Sequence, residues 1–228
     1  MQLIGLAGPA RSGKDTVANH LVKTHGFKKF SFSDRLYEEV SKAFRVSVEF
    51  LQDPRIKDTE RYEVSLRYCF NKDFVKAAVD VLDEQYRKHV GNVLLYPEGI
   101  PLSPRWVLQT WGTEYRRAQD PDYWIKEADA WVQREAEYDP HCKLVNTSVR
   151  YPNECDWIRA IGGRVWHISR PDCPVVRAHS SEVPVPFREG DQRLVNGGTV
   201  TQLWTAATML LGSPGLESIT VVPETQEA

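Results

Sequence analysis

The residues best suited to chemistry stand close to the start of the chain. Gly8-Pro9-Ala10-Arg11-Ser12-Gly13-Lys14 has the spacing G-x-x-x-x-G-K. Glycines at those places let the backbone curl until successive N–H groups face one phosphate, and a helix that begins there adds partial positive charge. Lys14 supplies a full charge that can follow the β- and γ-phosphates of a nucleoside triphosphate as a bond breaks. Ala10, Arg11, Ser12, Gly13, Lys14, Asp15 and Thr16 are therefore the candidate triphosphate-binding set. Asp15 occupies the place where a serine or threonine hydroxyl usually meets Mg²⁺, a hard ion that also takes carboxylate oxygens. Two readings of Asp15 stand: with Thr16 it holds a metal ion, or it serves only as a favourable charge at a helix start.

A second group lies a hundred residues on. Arg105 and Gln109 are one helical turn apart, and Thr113 extends the same spacing. A guanidinium, an amide and a hydroxyl on one face could hold a phosphate and a base edge. Arg116 and Arg117 either join them or are solvated surface charges. Trp111 and Trp124 either stack on a base or pack in the interior. Asp34 follows a short aromatic strand, a place where open α/β sheets take ligands, and it either contacts a sugar or caps a helix.

The elements that must position these groups can be read from periodicity. Gln2 to Ala7 is a short apolar run, best read as a buried strand that leads into the glycine turn. Val17, Ala18, Leu21 and Val22 fall at helical spacing over Lys14 to Thr24, closed by His25-Gly26. Phe27 to Phe32 reads as a strand and Asp34 to Phe44 as a helix, so the opening alternates as a parallel α/β sheet does. Residues 45 to 99 are charge-dense and helical, with one apolar stripe over Asn71 to Val90. Ser103-Pro104 and Asp120-Pro121 each mark a helix start. The sheet pattern resumes with strands at Lys143 to Val149 and Arg164 to Ser169, separated by a helix over Glu154 to Ile161. Residues 171 to 190 contain four prolines and no period, so a loop or lid is expected there. Arg193 to Asn196 reads as an edge strand, Thr199 to Leu211 as a helix with a capping-box pair at Thr199 and Gln202, and Ile219 to Val222 as a possible further strand.

Several blocks in this order resemble the phage-type deoxynucleoside monophosphate kinases: GPARSGKDTVA, FSFSDRL, RWVLQTWGTEYRR, VRYPNE, HSSE and VNGGT. The resemblance implies a P-loop kinase fold in a single domain over 1–228. Its core would be 1–44 and 140–212, with a helical insertion and acceptor-binding part over 45–139 and a lid near 170–193. It implies transfer of the γ-phosphoryl group of ATP, with Mg²⁺, to a deoxynucleoside monophosphate. On these motifs Lys14, Asp15 and Arg150 carry catalysis. Asp34, Arg105, Gln109, Gly112, Thr113, Trp124, Arg150 and Glu154 bind the acceptor. Arg170, His179 and Glu182 belong to the lid, with Arg177, Arg188 and Arg193 as further cations that could close over phosphates. The family commonly forms homodimers. Two departures stand out: Ser148 replaces the aspartate expected two residues before Arg150, and Trp106 replaces a basic residue beside Arg105. The loss at Ser148 leaves room for an ATP-binding module without transfer activity, and a kinase of another phosphorylated acceptor, such as dephospho-coenzyme A, is a further alternative.

Composition narrows the classes. The chain of 228 residues is 41% hydrophobic and 26% charged, with 29 Lys and Arg against 31 Asp and Glu. That balance argues against a nucleic-acid coat or motor and against a polybasic membrane-surface protein. No apolar run is long enough for a bilayer span, and the N-terminus does not read as a signal peptide. Cys69, Cys142, Cys155 and Cys173 show neither metal-ligand spacing nor disulfide density, so a cytoplasmic enzyme with free thiols is expected, in the host cytoplasm if the chain is viral.

Overall fold

A computed structural model describes residues 1–90, 96–171 and 185–222. Its centre is a six-stranded parallel sheet, an α/β architecture with helices against the sheet, as the sequence pattern predicts. The strands are β1 (Gln2–Ala7), β2 (Lys28–Phe30), β3 (Lys143–Val149), β4 (Arg164–Ser169), β5 (Gln192–Asn196) and β6 (Ser218–Val221). Their order across the sheet is β2-β3-β1-β4-β5-β6, and every pairing is parallel. The helices are α1 (Lys14–His25), α2 (Asp34–Phe44), α3 (Val48–Gln52), α4 (Lys72–Val90), α5 (Pro104–Thr110), α6 (Tyr123–Tyr138), α7 (Pro152–Ala160) and α8 (Val200–Gly212).

The chain divides into two compact units, 1–32 with 128–228, and 33–127. The division falls earlier than the 45 and 139 expected, because α2 groups with the helical segment and the second boundary lies inside α6. In the sheet unit, strand β1 is buried from Leu3 to Ala7, as suits a strand covered on both faces. Ile4 and Leu6 pack with Val17, Ala18 and Leu21 of α1, Trp166 and Ile168 of β4, and Leu203, Ala206 and Leu210 of α8. In the helical unit, Phe44, Phe74, Trp111 and Tyr115 form an aromatic core with neighbouring ring centroids 4.4 to 6.1 Å apart.

Two expectations about the sheet need correction. Strand β5 is internal, because β6 pairs with it and takes the edge. Strand β2 is only three residues long, since the chain leaves the sheet after Phe30. The expected helix starts hold where a side chain caps them: Ser103 accepts the N–H of Trp106, and Thr199 and Gln202 bond reciprocally.

One buried ion cluster stabilises the sheet unit. The Asp191 side chain, 1% exposed, accepts Arg159 Nε and Nη2 at 2.9 and 2.7 Å, the Arg188 N–H at 2.9 Å and pairs with His167 Nε2 at 2.8 Å. Burial alone would raise its pKa, but the hydrogen bonds from Arg159 and its neighbours outweigh burial and hold it below the usual carboxylate range. A depressed native pKa gives stability that is complete above the unfolded value, about 4, and lost as pH falls towards the native one. Urea unfolding of Asp191→Asn should therefore show a deficit that is full at pH 7 and shrinks below about pH 4. A deficit independent of pH would contradict the charge assignment.

Candidate functional site

The first site lies wholly in the sheet unit. Strand β1 ends at Ala7, and the loop Gly8 to Gly13 delivers the chain into α1. Gly8 and Gly13 have φ of +144° and +109°, and a β-carbon at Gly13 would sit 2.7 Å from Asn196 Nδ2, so both places need glycine. Gly13 is also the N-cap of α1 and supplies no side-chain hydrogen bond to the helix start. The first-turn N–H groups are then available to an anion. Lys14 Nζ donates to the carbonyls of Gly8 and Pro9, each at 2.7 Å. These bonds lay its stem along the loop, where phosphate oxygens can replace two carbonyl acceptors.

Beside the loop is a cavity of about 260 Å³, lined by Arg11, Gly13, Lys14, Asp15 and Thr16. The same cavity is lined by Arg170, Asn196, Gly198, Val200 and Leu203. Arg170, expected in a lid, thus joins the phosphate-loop residues. His179, Glu182 and Arg177 lie outside the described residues. Asn196 is a residue that motif reading missed. Its amide donates to the Ser12 carbonyl at 2.9 Å and ties the end of β5 to the loop. The only signal for it was the VNGGT block. Ser12 is fully buried, and its hydroxyl has no hydrogen-bond partner among the described residues.

Asp15 is exposed in the first turn of α1, next to Thr16. A carboxylate and a hydroxyl at one mouth are oxygen donors of the class Mg²⁺ accepts. No group of three His, Cys, Asp or Glu could form a protein metal cage among the described residues. That sparse set fits an ion that takes its remaining ligands from phosphates and water.

At the end of β3, Arg150 is exposed, and its N–H donates to Glu154 Oε2 at 2.7 Å. The Tyr151 N–H meets the same oxygen at 3.1 Å. Glu154 is 3% exposed, so the carboxylate expected to touch the acceptor instead caps α7 and fixes the backbone of Arg150. Ser148 Oγ accepts the Phe32 N–H at 2.9 Å and the Ser31 hydroxyl at 2.6 Å. A bulge in β3 accompanies it: Gly5 pairs with Asn146, but Ala7 pairs with Val149. The Asn146 side chain accepts the Ser148 N–H at 2.9 Å across that bulge.

The helical unit holds the other candidates. Asp34 is exposed at the first position of α2. Arg105 grips Asp58 with two donors, Nε at 2.6 Å and Nη2 at 3.2 Å. Gln109 is half-buried one turn along α5. Past Thr110 the helix widens into a π-helix over Trp111–Arg117, which contains Gly112 and Thr113 and which no 3.6-residue pattern predicts. The Gly112 carbonyl accepts Trp124 Nε1 at 3.1 Å. Trp111 and Trp124 are 1% and 4% exposed, so both tryptophans pack in the interior rather than offering a face to a base. Arg116 is also committed. Its Nε donates to Glu39 at 2.9 Å and its guanidinium lies 4.7 Å from the Tyr123 ring. Arg117 donates to the Pro121 carbonyl at 2.9 Å. Back in the sheet unit, Arg188 pairs with Asp156 at 2.7 Å and Arg193 lies 4.1 Å over Phe187. Neither is among the cavity residues, contrary to the expectation of a phosphate contact.

The family model for deoxynucleotide monophosphate kinase matches residues 62–206. A deoxynucleoside-5′-monophosphate kinase of Escherichia phage T5 is 30% identical over 188 residues, 69% of this chain and 71% of that protein. A deoxynucleotide monophosphate kinase of Enterobacteria phage T4 is 23% identical over 236 residues, 90% of this chain and 96% of that protein. A protein of Acanthamoeba polyphaga mimivirus is 26% identical over 214 residues, 90% of this chain and 93% of that protein.

Proposed function

Because this chain belongs to the deoxynucleotide monophosphate kinase family, we propose that it transfers the γ-phosphoryl group of ATP to a deoxynucleoside monophosphate, giving the diphosphate and ADP. The observation that carries this reading is the cavity that gathers Lys14, Asp15, Thr16 and Arg170 around an uncapped helix start. Phosphoryl transfer leaves the protein little covalent work. The γ-phosphorus passes from the β-bridging oxygen of ATP to an oxygen of the acceptor phosphate, and the protein's part is alignment and charge neutralisation.

Backbone N–H groups of the Gly8–Gly13 loop and of the start of α1 hold the donor phosphates. Lys14 exchanges its carbonyl partners for β- and γ-oxygens, and Arg170 neutralises charge at the same cavity. Asp15 and Thr16 would hold Mg²⁺, which when bound shields the phosphates and orients them in line. On this reading Asp34, Arg105, Gln109, Gly112 and Thr113 bind the acceptor, and Arg150 contributes charge to the transfer. The acceptor phosphate, with its second pKa near 6, is mostly dianionic at pH 7 and needs no general base. The missing carboxylate at Ser148 therefore does not stop the reaction. The same reading makes the protein a homodimer of the cytoplasm. Among the described residues no helix is long and apolar enough to cross a membrane.

The test is an ADP-release assay with ATP, Mg²⁺ and a panel of dAMP, dCMP, dGMP, dTMP and dephospho-coenzyme A. Turnover of at least one deoxynucleotide supports the proposal; turnover of none, with ATP still bound, would favour a binding module. A related result is expected at Ser148. Two donors, the Phe32 N–H and the Ser31 hydroxyl, already converge on its Oγ. Ser148→Asp should keep or raise kcat, because a carboxylate inherits both hydrogen bonds. A tenfold fall would show that the pocket rejects the charge.

A further inference from the structure

Asp34 and Arg105 are far apart in the chain, yet the helical unit links them through two residues that no motif marks. Tyr37 lies one turn after Asp34 on α2. Lys57 lies between α3 and α4, and its Nζ donates to Tyr37 Oη at 2.6 Å while standing 5.2 Å from the centroid of that ring. The Lys57 carbonyl accepts the Arg105 N–H at 2.9 Å. The very next residue, Asp58, takes the Arg105 guanidinium through both oxygens. One turn of chain therefore carries an ammonium and fixes a guanidinium by backbone and side chain together.

The electrostatics of Lys57 differ from those of its neighbours. Arg35, Arg55, Arg61 and Arg105 each face a carboxylate within 4.0 Å. Lys57 makes no such pair among the described residues; its side-chain hydrogen-bond partner is a neutral phenol. A half-buried cation held this way gains from an anionic ligand that a paired cation would bind less readily. Tyr37 meanwhile restricts the long lysine stem, so less rotamer freedom is lost when an anion arrives.

We propose that Lys57, held in place by Tyr37, binds the 5′-phosphate of the acceptor nucleotide beside Arg105. The inference rests on the reading that the helical unit takes the deoxynucleoside monophosphate. It adds the phosphate-recognition residue of that unit: a cation lying outside every motif block.

The experiment pairs kinetics with direct binding on the full chain. Lys57→Ala should raise the KM and Kd for a deoxynucleoside monophosphate about ten- to a hundredfold, the worth of one charge-assisted hydrogen bond. The KM for ATP and the unfolding temperature should stay at wild-type values. Lys57→Arg should recover most of the loss, and Tyr37→Phe should show a smaller rise. Calorimetric titration with the corresponding deoxynucleoside, which lacks the phosphate, should give the same Kd for wild type and Lys57→Ala. The proposal is overturned if Lys57→Ala binds the monophosphate as wild type does, if it weakens monophosphate and nucleoside equally, or if no monophosphate binds wild type. Wild-type protein that binds the monophosphate in a Lys57-dependent way but turns over none would sink the kinase reading and leave this one standing.

Discussion

Lys14→Ala lowers kcat/KM for phosphoryl transfer by at least ~10³-fold, because it removes a preorganised charge from the transferring group. The unfolding temperature stays within a degree or two of wild type, since surface changes of this kind are close to neutral. The two halves of the prediction come from one piece of geometry. Lys14 Nζ donates to the Gly8 and Pro9 carbonyls at the loop. Water can satisfy those carbonyls when the ammonium is gone. Nothing in solution can replace a fixed cation at a γ-phosphate. Lys14→Arg should not restore the rate, because a planar guanidinium cannot follow the same path in a loop this tight. The ADP-release assay and a thermal melt on the same preparation decide the matter. Near-normal kinetics in Lys14→Ala would remove the donor site from the first thirty residues altogether.

The second large effect is expected at Glu39, on stability rather than on rate. Its Oε2 accepts Trp111 Nε1 and Arg116 Nε, each at 2.9 Å, and its Oε1 accepts Tyr123 Oη at 2.5 Å. Burial and the adjoining Glu39 carboxylate push the Tyr123 phenol up to about 12, so it remains a donor throughout the usable pH range. Glu39→Ala leaves a buried indole N–H and a guanidinium without their acceptor. Breaking a buried pair from one side costs about 3 kcal/mol or more, so the helical unit should lose that much in urea unfolding. Glu39→Gln keeps an acceptor but no charge and should lose about half as much. The π-helical turn with Gly112 and Thr113 is anchored through Trp111 and Arg116, so acceptor affinity should fall in parallel. A Glu39→Ala protein as stable as wild type would mean that these three hydrogen bonds add nothing net.

What could be read from the chain alone follows from how each feature is encoded. The glycine loop, α1, α2, β3 and the capped starts of α5 and α8 were legible because spacing or a cap residue within a few positions determines them. The π-helix was not, since its wider turn is held by Trp124 and Glu39, which belong to other helices. Glu39 itself reads as one more acid in an ordinary run, Tyr-Glu-Glu-Val, and only the fold shows that three donors meet there. Glu154 misled in the opposite sense: a motif placed it at the acceptor, whereas its position three residues into a helix makes it a cap. Lys57 carries no local pattern and the VNGGT block gives Asn196 no role, because Lys57 meets Tyr37 and Arg105 and Asn196 meets Ser12, all distant in sequence. Arg105 with Asp58, and Arg116 with Glu39, show the same limit for charge: a run of arginines says nothing about which carboxylate has already claimed them.

The strand order carries a consequence for how the molecule comes to exist. Strand β1 lies between β3 and β4, so its hydrogen-bonding edges wait for residues from Lys143 onward. During synthesis the phosphate loop emerges before β3 and β4 and yet acquires its shape only after they follow. The intervening 33–127 segment, a compact unit continuous in sequence, can collapse meanwhile. A nascent chain arrested before residue 140 should accordingly possess a folded helical body and no grip on triphosphate at all.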